Sequence, residues 1–71
     1  MRIQITNLSA AVSEVVVNIP EGSNVQDAVR QANISPANRS LSVNGNQASL
    51  TTVLHDDDIV VLTPKIEGGH Q

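Results

Sequence analysis

One stretch of this chain repeats its apolar residues at helical spacing directly behind a helix-start signal. Val25, Ala28, Val29 and Ala32 fall at i, i+3, i+4 and i+7, a single stripe with Gln26, Asp27 and Arg30 lying off it. Pro36 forbids long continuation, so the spacing predicts a short helix from about Val25 to Ala32 or Asn33. Ser23 stands three residues before Gln26, the spacing of a capping box, and Asp27 suits the positive end of the helix dipole. A stripe this short cannot bury itself and needs a second layer to pack on.

The flanking segments have the other period. Met1, Ile3 and Ile5 alternate with Arg2, Gln4 and Thr6, the pattern of a half-buried strand. Asn7 to Val12 is small and polar enough for a turn. Ser13 to Ile19 reads as a second strand, with Val15, Val17 and Ile19 as its inward set. The two are expected to form a hairpin, ended by Pro20-Glu21-Gly22. Past the helix, Leu41-Ser42-Val43 is a third strand. Asn44-Gly45 is a hairpin turn signal, since both residues tolerate positive φ, and Gln47–Ser49 is a short returning strand. Leu50, Val53 and Leu54 are expected to cap the core. Ile59 to Thr63 is the last strand, with Pro64 at its end.

The order strand, strand, helix, strand, short strand, strand predicts an α+β fold. It matches a β-grasp, a mixed four- to five-stranded sheet packed on one helix, with the first and last strands parallel at its centre. Residues 1–67 would form this domain and residues 68–71 a flexible C-terminal tail.

Composition narrows the chemistry. With 71 residues there is room for one domain, and its stability should be a few kcal/mol, roughly 3–5. There is no aromatic residue, so base stacking on nucleic acid has nothing to use. Charges balance over residues 1–40. The whole deficit of the net −3 lies in residues 41–71, where Lys65 faces Asp56, Asp57, Asp58 and Glu67. Such a surface repels phosphate backbones and anionic lipids and suits a basic protein partner. Cysteine is absent, which removes disulfides and thiolate chemistry. Without an apolar leader or a run of membrane-spanning length, the chain reads as soluble and cytoplasmic.

His55-Asp56-Asp57-Asp58 lacks the alternate spacing and the glycine of a calcium loop. It reads as a solvated turn rather than a metal site. No acid/base pair, nucleophile or cofactor loop is evident, so no catalytic residue of its own and no independent enzyme activity are expected. The tail is different. Gly68-Gly69 carry no Cβ and can thread a channel that side chains would block. The bland reading is a fraying terminus.

Together these segments resemble a known family. Val43-Asn44-Gly45, then Leu54, then Asp56-Asp57-Asp58 leading into Ile59-Val60-Val61-Leu62, then Gly68-Gly69, look like the ThiS/MoaD-like ubiquitin-like proteins. The resemblance covers nearly the whole chain. It implies a sulfur carrier: an ATP-dependent E1-like adenylyltransferase activates the C-terminal Gly carboxylate, and sulfur replaces the AMP to leave a thiocarboxylate. Gly69 would be the activated residue, Gly68 its neighbour, and Asn44-Gly45 structural. The chain itself would bind no cofactor, with ATP and Mg supplied by the partner. His70-Gln71 follow Gly69, so a tail-trimming protease is implied. Asp57 stands where the family usually has Gly, and Asp is among the residues that tolerate the left-handed region.

The last strand carries a candidate docking surface. If Val60 and Leu62 face the helix, Ile59 and Val61 face outward, and Val16 falls on that same open face, bordered by Arg2, Gln4 and Ser42. Lys65 and Ile66 would join it to the tail. Ordinary scattered surface aliphatics are the alternative. A non-covalent interaction module, or a protein modifier conjugated through Gly69, would use the same surface.

Overall fold

The structure, a computed structural model, describes residues 1–8 and 12–64. The expected domain boundary at residue 67 and the tail of residues 68–71 lie outside the described residues, as do Lys65 and Ile66. The alternating segments form strands β1 (Arg2–Asn7), β2 (Ser13–Asn18), β3 (Arg39–Val43), β4 (Asn46–Ala48) and β5 (Ile59–Pro64). The helical stripe forms α1 (Val25–Gln31). The strands make one five-stranded sheet in the order β2-β1-β5-β3-β4. β1 and β5 lie parallel at its centre, and every other pairing is antiparallel. This is the expected β-grasp.

The core is aliphatic. Ile3 and Ile5 from β1, Val60 and Leu62 from β5, and Val25, Ala28 and Val29 from α1 are all buried, joined by Val17, Ile19 and Leu54. Parity on β1 and β5 is as the alternation predicts. Ile5 pairs with Val60, and both point at the helix.

Four expectations need correction. The helix cap is Asn24, not Ser23. Asn24 accepts from the Asp27 backbone N–H at 3.0 Å, and Asp27 returns the bond to the Asn24 N–H at 3.1 Å. Ser23 is otherwise engaged: its N–H donates to Pro20 and its carbonyl accepts from Leu54. Val15 shares the inward side of β2 but stays 37% exposed. The helix has seven residues, a length of about 10 Å, while Val15 to Ile19 spans about 13 Å, so α1 cannot cover the row. Val53 does not cap the core and is 53% exposed. Its segment is extended against Asn24, so Val53 and Leu54 point opposite ways and only Leu54 goes in. The third strand begins at Arg39 rather than Leu41, because Ser40 and Arg39 continue the ladder opposite Thr63 and Pro64.

Asparagine rather than glycine supplies several left-handed corners. Asn33 at φ 61° ends α1 with two back-bonds, Asn33 N–H to the Arg30 carbonyl and Ile34 N–H to the Val29 carbonyl. This is a Schellman ending, and it stops the helix before Pro36 does.

Candidate functional site

The outer face of the sheet is uncovered by α1. Register builds it in rows. Gln4 pairs with Val16 on one side and with Ile59 on the other. The next row runs Glu14, Thr6, Val61, Ser42, Gln47. Val16 and Ile59 are 45% and 41% exposed, and Val61 is half-buried. The structure therefore puts Val16, Ile59 and Val61 on one face. Gln4 stands between Val16 and Ile59 rather than beside them, so the apolar surface is an interrupted band, richest along β5. Arg2 lies at one end of the face beside Asn18, and Ser42 borders Val61. Lys65, Ile66, Gly68 and Gly69 lie outside the described residues.

β5 links this face to the tail. It is a central strand, and it runs from Ile59 to Pro64, where the sequence continues into Lys65. Val61 is three residues from Pro64, about 10 Å along the strand. Asn7 and Arg39 stand at this end of the sheet, Asn7 opposite Leu62 and Arg39 opposite Pro64.

At the other end of β5, the acidic turn does structural work that sequence reading missed. Asp57 takes φ 69°, a left-handed conformation that Asp tolerates. Asp56 Oδ1 accepts from the Arg2 N–H at 2.8 Å, and the Asp57 N–H donates to the Arg2 carbonyl at 2.8 Å, which ties the turn to β1. Asp58 uses both oxygens. Oδ2 accepts from the His55 N–H at 2.8 Å, and Oδ1 accepts from Asn44 Nδ2 at 2.8 Å. Asn44 in turn accepts at Oδ1 from the Ile59 N–H at 3.0 Å. The Asn44 side chain thus clamps the β3–β4 turn to the start of β5. That turn has Asn44 at φ 53° and Gly45 at φ 88°, both positive as a two-residue hairpin of this hand requires.

The Asp56 and Asp58 carboxylates are occupied by backbone and amide donors. Among the described residues no group of three or more His, Asp or Glu could hold a metal ion. No helix among them is long and apolar enough to cross a membrane.

No family model and no curated protein matches the sequence. Solved structures do match. SAMP1 from Haloferax volcanii is similar with a TM-score of 0.79 at 18% identity, covering 97% of this chain and 100% of that one. The H. volcanii small archaeal modifier protein 1 gives 0.76 at 16%, covering 92% and 98%. A putative molybdopterin converting factor, subunit 1, from Pyrococcus furiosus gives 0.70 at 22%, covering 92% and 98%. Identity this low speaks for architecture alone. The chain has the ubiquitin-like β-grasp fold, shared over 92% to 97% of its length with small archaeal modifier and molybdopterin converting factor structures.

Proposed function

We propose that the chain is a ubiquitin-like carrier that docks an ATP-dependent E1-like partner through its open sheet face and is activated at Gly69. The supporting observation is β5 itself: the central strand that presents Ile59 and Val61 is the one that leads in sequence to Gly68-Gly69. A protease first hydrolyses the Gly69–His70 peptide bond, which creates the carboxylate. A carboxylate oxygen then attacks the ATP α-phosphate and pyrophosphate leaves. A sulfide-level donor displaces AMP and leaves a thiocarboxylate. The carrier supplies position, bringing the carboxylate against the nucleotide. The partner supplies Mg²⁺ and cationic stabilisation of the phosphates. On this reading the chain is a substrate and carrier rather than an enzyme, works in the cytoplasm, and needs neither nucleic acid nor membrane.

A second reading has its own support. One of the similar structures is named a small archaeal modifier protein. The same activated Gly69 would then pass to a lysine amine, forming an isopeptide bond. A non-covalent module would use the sheet face and leave the tail unmodified.

Intact mass spectrometry separates the three. The chain ending at Gly69 is incubated with ATP, Mg²⁺ and E1-like enzymes. An adenylate or oxygen-to-sulfur exchange supports the carrier, and, after tryptic cleavage at Lys65, an Ile66-Glu67-Gly68-Gly69 remnant on partner lysines supports the modifier. An unchanged mass with every such enzyme, together with a native protein that keeps His70-Gln71, leaves the module.

A further inference from the structure

The Asn44 clamp contains a chemical liability that the carrier reading does not use. Asn44 is the one asparagine in the chain followed by glycine. It sits in an exposed turn, and nothing stands within 4 Å of where a Gly45 Cβ would be, so water reaches the position. A glycine N–H with no flanking side chain is an open nucleophile toward the preceding side-chain amide. Asn44 is nonetheless held at both ends of that amide, Nδ2 on Asp58 Oδ1 at 2.8 Å and Oδ1 on the Ile59 N–H at 3.0 Å.

We infer that Asn44 is a site of spontaneous deamidation, gated by Asp58. The Gly45 nitrogen bonds to Asn44 Cγ and gives up its proton. The Cγ–Nδ2 bond breaks and Nδ2 leaves as ammonia, closing a succinimide ring. Water then opens either ring carbonyl, giving aspartate at position 44 or an isoaspartate linkage through Cβ. The sum is amide plus water to carboxylate plus ammonium, the ammonia taking up the acid proton, with no redox change.

Two consequences follow from the clamp. While it is closed, the amide cannot turn toward the Gly45 nitrogen without giving up its bond to Asp58, so the folded state protects the site. Once the reaction occurs, a carboxylate replaces the donor that faced Asp58. Two like charges cannot keep a contact of 2.8 Å, so the bond to Asp58 is lost, and the β3–β4 turn is left held to β5 by the Asn44 N–H on the Ile59 carbonyl at 2.9 Å and by the Ile59 N–H. The product also places negative charge beside Ile59, at the end of the open face remote from Pro64. On the docking reading above, deamidation thus adds charge at the Ile59 end of that face.

The test follows the full chain in mildly alkaline buffer, by intact mass and by peptide mapping that separates aspartate from isoaspartate. Modification is expected at Asn44 and at no other asparagine. Native protein should react roughly tenfold or more slowly than the same chain in denaturant, the effect of one charge-assisted hydrogen bond on the barrier. Asp58→Ala, shown to be folded by circular dichroism, should close most of that gap, while Asp58→Asn, which keeps an acceptor, should fall between. Stability provides an independent arm. Asn44→Asp should unfold at lower denaturant than wild type, and combining it with Asp58→Asn should restore the midpoint, because the donor and acceptor are exchanged. Equal rates in native and denatured protein, or an Asn44→Asp variant as stable as wild type, would overturn the inference.

Discussion

Asn44 combines two roles that a single residue seldom carries. Its backbone occupies φ 53°, which most side chains resist, and its amide joins Asp58 to the Ile59 N–H. The two roles can be separated by substitution. Asn44→Gly keeps the backbone and loses the clamp, and should cost about 1–2 kcal/mol in chemical denaturation. Asn44→Ala loses the clamp and adds the left-handed penalty, so it should cost about 1 kcal/mol more than the glycine variant. Equal losses would mean that the turn imposes no backbone demand. None of this was legible in the sequence beyond the turn itself. The partners lie 14 and 15 residues apart for Asn44, and 54 for Asp56 and Arg2. Short-range spacing reports turns, whereas these bonds exist only once β1, β3 and β5 have come together.

At the scale of elements, periodicity was the reliable signal. The stripe Val25, Ala28, Val29 located the helix and alternation located β1, because a residue's period is set by backbone geometry alone, while the apolar run ending at Pro64 located β5. Caps and edges were less legible because neighbours compete for them. Two adjacent residues, Ser23 and Asn24, could each start the helix. The hydrogen bonds of Ser23 to Pro20 and Leu54 decided between them. Asn24→Ala should therefore cost about 1 kcal/mol. Ser23→Ala should stay within about 0.5 kcal/mol of wild type. The reverse order in thermal or denaturant unfolding would put the cap back at Ser23. Val15 and Val53 taught a related lesson. Parity says which side a residue faces, but only the reach of a seven-residue helix says whether that side is covered.

The whole molecule is small and lacks aromatics, so its stability rests on a few Ile, Leu and Val side chains. Leu62 is fully buried on a central strand. Leu62→Ala should remove about 3 kcal/mol, most of what a domain of this size has, and leave a substantial unfolded fraction by circular dichroism. The open face should behave oppositely. Ile59→Lys should keep the fold while weakening engagement of an E1-like partner roughly tenfold or more, as loss of an interface anchor does. Unchanged engagement would return Ile59, Val61 and Val16 to the status of scattered surface aliphatics. The order of elements and the parallel pairing of β1 with β5 could be read in advance from the chain. The carrier chemistry rests on residues beyond Pro64 and on a partner. ATP–pyrophosphate exchange tests that chemistry most directly, with the chain ending at Gly69 and the chain ending at Gln71 assayed side by side against E1-like enzymes. The account predicts exchange with the shorter chain and none with the longer. Exchange with neither, or equal exchange with both, would contradict it.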